Sequence, residues 1–143
     1  MSRPPLVSVC LPAYNHAAYV GFAIESILAQ TFGDFELLIN DDCSPDLTYE
    51  VITSYDDARI FPVRQSLRSG VSVTINAAMR RARGKYIAFC ASDDIWLPEK
   101  LQRQVAQMES HPEGVPAWLR PLQGRVRWGR VPGVSSLRSS TPG

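Results

Sequence analysis

The amino-acid sequence predicts an α/β fold, a mostly parallel sheet with helices on both faces. Two observations lead there. Short apolar runs of strand length alternate with stretches whose apolar residues recur at helical spacing, in the order β-α-β-α-β-α-β-α. The chain is also long enough for one domain with its own core: 143 residues, 45% of them hydrophobic and 20% charged.

Leu6–Leu11 reads as the first strand, ended by Pro12. Val20, Ala23, Ile24, Ile27 and Leu28 form one apolar stripe, so His16–Gln30 reads as a helix with Asn15 as its N-cap. Phe35–Ile39 is the second strand. Ser44-Pro45-Asp46 has the signature of a helix start, with a capping hydroxyl, a proline at the first helical position and an acid in the first turn; that helix runs to about Tyr55. Arg59–Val63 is a third strand, and Pro62 places it at a sheet edge. Val71, Ile75, Ala78, Met79 and Ala82 share one face of the next helix. Gly84 stops it, and Arg80, Arg81 and Arg83 lie near its negative end. Tyr86–Ala91 is the fourth strand. Leu101, Val105 and Met108 mark a last helix opening near Pro98. Residues 5–113 thus form the predicted folded region. Residues 114–143 are rich in Gly, Pro, Arg and Ser without periodicity, and read as a disordered tail or a sequence foreign to the fold, such as a frameshift or truncation would leave.

In a parallel sheet of this kind, ligands bind beyond the carboxyl ends of the strands. This rule sorts three adjacent aspartate pairs. Asp56-Asp57 falls between a helix and the next strand, at the opposite end, and reads as a solvated turn. Asp41-Asp42 and Asp93-Asp94 follow the second and fourth strands and face the ligand edge. Two carboxylates about 4 Å apart repel by ~4 kcal/mol near a protein surface. A cleft that holds such a pair therefore suits a hard divalent cation, Mg²⁺ or Mn²⁺, which takes one or two carboxylates plus substrate phosphates. Asp93-Asp94 is the candidate, with N-capping of the last helix as the competing structural role. The same argument does not make Asp42 a metal ligand. A carboxylate only accepts hydrogen bonds, so Asp42 suits the imide N–H of a uracil or a base amino group. Tyr14 offers an aromatic face on which a base could stack, a contact of about 1–3 kcal/mol.

At this point the residues resemble a known family. Val7-Ser8-Val9-Cys10-Leu11-Pro12-Ala13-Tyr14-Asn15 is similar to the opening strand and loop of family 2 glycosyltransferases, which have the Rossmann-like GT-A fold. Ile24–Thr31 followed by Phe35-Glu36-Leu37 resembles their first helix and second strand. Asn40-Asp41-Asp42-Cys43-Ser44-Pro45-Asp46 resembles their "DDGS-x-D" loop, and Ala82–Phe89 leads into Ser92-Asp93-Asp94 as their sequence leads into a DxD-type metal motif. The resemblance covers about residues 5–112. It implies inverting transfer of a sugar from a nucleotide-diphosphate sugar, a UDP-sugar, to a saccharide, lipid-linked or protein acceptor in surface polysaccharide or glycoprotein assembly. By the same resemblance, Asp42 contacts the base, Tyr14 stacks on it and Ala13 lines the pocket. Asp93 touches the ribose or sugar side, and Asp94 holds the metal against the diphosphate. Cys43 departs from the family, standing where glycine is usual; a positive φ there would be strained. A second departure is that no acidic residue lies beyond Glu113. The acceptor half and its general base are therefore expected to be missing, leaving nucleotide binding at most.

A metal-dependent nucleotidyltransferase commonly has a Gly- and basic-rich loop after its first strand, and Pro12-Ala13-Tyr14-Asn15 has no glycine. No GxxxxGK[ST] loop occurs. An inactive truncated fragment or pseudo-enzyme that binds nucleotide only is the remaining alternative. The net charge of +1 hides an asymmetry: ten Lys/Arg against fourteen Asp/Glu up to residue 113, then five Arg and no acid. The stretch Arg80–Lys85 reads as a helix end rather than a nucleic-acid site, so no nucleic-acid partner is expected. Cys10, Cys43 and Cys90 are odd in number and form no CxxC, which argues against disulfides and zinc; Cys10 and Cys90 read as buried small hydrophobes. His16 and His111 read as helix-surface residues. No run approaches the roughly 20 apolar residues of a transmembrane segment, and a secretory signal is not expected. The expected setting is cytoplasmic, peripheral at the inner face of the membrane.

Overall fold

The structure, a computed structural model, describes residues 3–111. Its elements alternate as the sequence predicts: β1 (Val7–Ala13), α1 (Val20–Leu28), β2 (Phe35–Asp41), α2 (Thr48–Thr53), β3 (Ile60–Arg64), α3 (Val71–Arg81), β4 (Tyr86–Phe89) and α4 (Lys100–Ser110). The four strands form one sheet in the order β3-β2-β1-β4, and all three pairings are parallel. The chain steps outward from β1 to β3, then returns past β1 to add β4 on the far side. Right-handed crossovers require helices formed on the outward and return legs to lie on opposite faces. That is the arrangement seen. Val20, Ala23, Ile24 and Ile27 of α1, Ile52 of α2 and Leu101, Val105 and Met108 of α4 pack with Val7, Val9, Leu11, Leu37 and Ile39. Ala78 of α3 packs on the other face with Cys10, Leu38 and Ile87. Fully burying side chains such as Ile24 and Leu37 contributes about 1.5–3 kcal/mol each.

The α3 face is thinner and carries a polar network. Ser8 Oγ donates to Glu36 Oε1 at 2.7 Å, and Arg83 donates to Glu36 Oε2 through Nε and Nη2 at 2.9 and 2.7 Å. Burial, the largest single influence on Glu36, would raise its pKa. The hydrogen bonds from Ser8 and Arg83 outweigh it and hold the carboxyl below its usual range. Arg81 donates to Asn40 Oδ1 at 2.7 Å, and Lys85 to Glu109 Oε1 at 2.6 Å. The basic stretch at the end of α3 and just beyond it is therefore tied to the sheet and to α4. Gly84 is needed there for close approach: a Cβ would lie 2.6 Å from the Ser8 backbone nitrogen.

Several expected boundaries are corrected. β1 runs through Pro12 to Ala13 instead of stopping before the proline. Cys10 accepts from Cys90 on the β4 side and Ala13 accepts from Asp42 on the β2 side. Successive residues of a parallel strand bond to opposite sides, so Pro12, like Cys10, faces β4, which has ended, and its missing N–H leaves no gap in the ladder. α1 begins at Val20, not His16, and Asn15 is not its cap: Tyr19 holds that position, and Asn15 has φ 54°. α2 begins at Thr48 after Leu47, so Ser44 and Pro45 precede it without capping it. Val71 is exposed, and the buried residues of α3 are Thr74 and Ala78. The edge position of β3 and the burial of Cys10 and Cys90 are as expected; burial pushes both thiols up to about 12. Residues 114–143 lie outside the described residues.

Candidate functional site between the ends of β1 and β4

Reversal of the strand order at β1 puts the switch point of the sheet at the carboxyl ends of β1 and β4, the place where open α/β sheets bind ligands. Four loops border this edge. Those after β1 and β2 are interlocked. The backbone N–H of Asn15 donates to Ser44 Oγ (3.0 Å), that of His16 to Thr48 Oγ1 (2.9 Å) and that of Ala17 to Asp46 Oδ2 (3.0 Å). Asp46 also accepts the Thr48 N–H and hydroxyl. These bonds fix the turn that carries Tyr14.

The first acidic pair divides its labour. Asp41 is fully buried; it accepts both the N–H and the hydroxyl of Ser44 and lies 3.6 Å from Arg64 Nε. It closes a tight turn in which Cys43 takes φ 59°, so the position does require the left-handed conformation that glycine tolerates best. Asp42 points elsewhere. Its backbone N–H donates to Ala13 O at 2.8 Å, which puts Ala13, Tyr14 and Asp42 side by side. The Asp42 side chain is not open to solvent: the residue is 3% exposed, and its two oxygens accept the backbone N–H groups of Ser69 (2.7 Å) and Gly70 (2.8 Å), just ahead of α3. The Arg68 guanidinium stands 4.2 Å from the centre of the Tyr14 ring.

The second pair, Asp93-Asp94, is exposed in the loop after β4. Its competing role does not apply, because the N-cap of α4 is Glu99. Neither carboxylate accepts a hydrogen bond from another described residue. Ser92 is buried, and its hydroxyl lies 2.7 Å from His16 Nδ1, across the switch point of the sheet. His16 therefore sits in the loop, not on a helix surface as expected, while His111 does end α4, against Gln107. Asp57 occupies the opposite end of the sheet and pairs with Arg59.

No group of three or more His, Cys, Asp or Glu residues that could hold a metal ion occurs among the described residues. Two exposed carboxylates with unengaged oxygens do fit the sparser pattern of a hard cation shared with substrate phosphates. Sequence reasoning missed His16, Thr48, Arg68, Ser69 and Gly70. Each acts through a partner more than twenty residues away, so no local spacing could have revealed it.

Residues 8–139 match the family described as Glycosyl transferase family 2. A Bacillus subtilis protein named as a teichuronic acid biosynthesis glycosyltransferase, TuaG, is 42% identical over 106 residues, which are 73% of this chain and 42% of the relative. The Escherichia coli protein WfaP, named as a UDP-Glc:α-D-GlcNAc-diphosphoundecaprenol β-1,3-glucosyltransferase, is 37% identical over 105 residues, again 73% and 42% of the two chains. The structure of Staphylococcus aureus TarS 1–349 in complex with UDP-GlcNAc superposes with a TM-score of 0.71 at 29% identity, over 74% of this chain and 32% of that one. The chain spans about two-fifths of the length of the curated relatives it matches.

Proposed function

The chain belongs to glycosyl transferase family 2, and from that premise we propose that residues 5–113 bind a nucleotide-diphosphate sugar, a UDP-sugar, at the switch point between β1 and β4. The observation that carries this reading is the strand order β3-β2-β1-β4, which sets Tyr14 and Ser92-Asp93-Asp94 on the two sides of one topological switch point. In this reading Tyr14 stacks on the base, Ala13 lines its pocket and Asp42 accepts its N–H. Asp93 contacts the ribose or sugar. Asp94 holds Mg²⁺ or Mn²⁺, with the donor's phosphates completing the ion's oxygen shell. When bound, the cation offsets charge on the departing diphosphate.

The whole protein then transfers the sugar with inversion. Inversion needs a base to take the proton of the acceptor hydroxyl. For residues 5–113 we propose donor binding, not turnover. The family relationship to WfaP favours a lipid-linked saccharide acceptor, with the protein working in the cytoplasm at the inner membrane face. No helix among the described residues is long and apolar enough to cross a membrane. The test is calorimetry with UDP, GDP and dTDP, each with and without Mn²⁺, repeated on Asp94→Ala. Metal-dependent binding that the substitution abolishes supports the site. Equal binding without metal removes its chemical basis.

A further inference from the structure

The segment 65–70 between β3 and α3 is pinned at its ends and exposed in its middle. Gln65 donates its N–H to Asp41 O (2.8 Å) and its side-chain amide to Thr74 Oγ1 (3.1 Å), while Gly70 O accepts the Thr74 hydroxyl (2.9 Å). Between these anchors Leu67 is 74% exposed, and Ser66, Arg68 and Ser69 are exposed as well. Apart from a long Cys43 Sγ to Ser66 O contact at 3.8 Å, the middle touches the body at two places: Arg68 over the Tyr14 ring, and the Ser69 and Gly70 N–H groups on Asp42.

These two contacts copy the chemistry expected of a nucleoside. A planar, delocalised guanidinium covers the aromatic face, as a base would. Two N–H donors engage the acceptor-only carboxylate, where the imide of a base would bring one. We infer that residues 66–70 form a displaceable strap that occupies the nucleoside subsite of this chain until a donor arrives, so that donor binding and strap release are one event. The inference rests on the base-binding reading of Tyr14 and Asp42. Its consequence is competition: the strap lowers apparent donor affinity by the fraction of molecules in which it is closed. Arg68 then opposes binding rather than assisting it. Being exposed, it can be removed without disturbing the core.

The experiment uses UDP with Mn²⁺ on the 143-residue chain, with two readouts. The first is calorimetric affinity of the wild type, Arg68→Ala and Tyr14→Ala. Loss of the guanidinium–ring contact is expected to tighten UDP binding about two- to fivefold in Arg68→Ala. Unchanged or weaker binding overturns the strap. The second is amide hydrogen exchange at Ser69 and Gly70, which is expected to speed up on saturation with UDP. Amides equally protected with and without UDP also overturn it. If UDP binds and Tyr14→Ala weakens it while both strap readouts fail, the strap alone is wrong and the base-binding reading stands. UDP binding indifferent to Tyr14→Ala, or no binding at all, removes both.

Discussion

His16 Nδ1 lies 2.7 Å from the hydroxyl of Ser92, joining the loop after β1 to the loop after β4 across the switch point of the sheet. Among the described residues, it is the one side-chain hydrogen bond between those two loops. Ser92 is 4% exposed, so its partner is hard for water to replace. Ser92→Ala is expected to lower stability by about 1 kcal/mol, the net worth of one partly buried hydrogen bond. It should also weaken metal-dependent UDP binding by loosening the segment that carries Asp93 and Asp94. Urea unfolding and calorimetry on the same sample check both effects, and wild-type values for both would show that the bond positions nothing.

Cys43 adopts φ 59° in the turn closed by Asp41 and Ser44. A non-glycine residue costs roughly 1–2 kcal/mol in this conformation. Glycine loses about 0.5–1 kcal/mol through its greater freedom in the unfolded chain. Cys43→Gly is therefore expected to stabilise the fold by about 0.5–1 kcal/mol, read as a higher urea midpoint with an unchanged slope.

Gly84 presents the opposite case. Its backbone conformation is not the constraint; the neighbouring chain is. A Cβ would meet Ser8 N at 2.6 Å and Val7 C at 2.8 Å, both backbone atoms of the central strand. Gly84→Ala should destabilise by about 1–3 kcal/mol or more through overpacking, measured as a drop in thermal midpoint. A neutral result would mean that the β1–β4 junction yields more readily than its hydrogen bonds suggest.

Asp57 supplies a pH prediction. The side-chain hydrogen bonds from Arg59, helped by its backbone N–H, pull the Asp57 carboxyl down from 3.8 to about 2. A carboxyl with a depressed folded-state pKa stabilises the fold above its unfolded value, and that contribution fades as pH falls toward the folded value. The window is therefore about pH 4 to 2. Asp57→Asn should flatten the acid limb of the stability curve in that window relative to wild type. Curves that stay parallel throughout would show that the Arg59 pair adds no pH-dependent stability.

Much of the fold was legible in the chain itself. Helical spacing of Val20, Ala23, Ile24 and Ile27, and the apolar runs of β1 and β2, encode their own local geometry, because burial of one face demands that periodicity. The proline in β3 told of an edge, since a missing N–H is tolerated where no neighbour needs it. Pro12 misled for the same physical reason applied without its context: β1 is central, yet β4 ends before reaching it, and only the strand lengths show this.

The sequence by itself determined the alternation of strands and helices, the family, and which acidic pairs fall at the carboxyl edge. These are properties of residue order and spacing, which short-range sterics and burial translate directly. Only the tertiary structure decided what each carboxylate does. It turned Asp41 inward onto Ser44 and Arg64, set Asp42 against the Ser69 and Gly70 amides, left Asp93 and Asp94 facing solvent, and drew His16 to Ser92. A hydrogen bond depends on positions within about 3 Å, and those positions are fixed by strand order and loop packing between residues far apart along the chain.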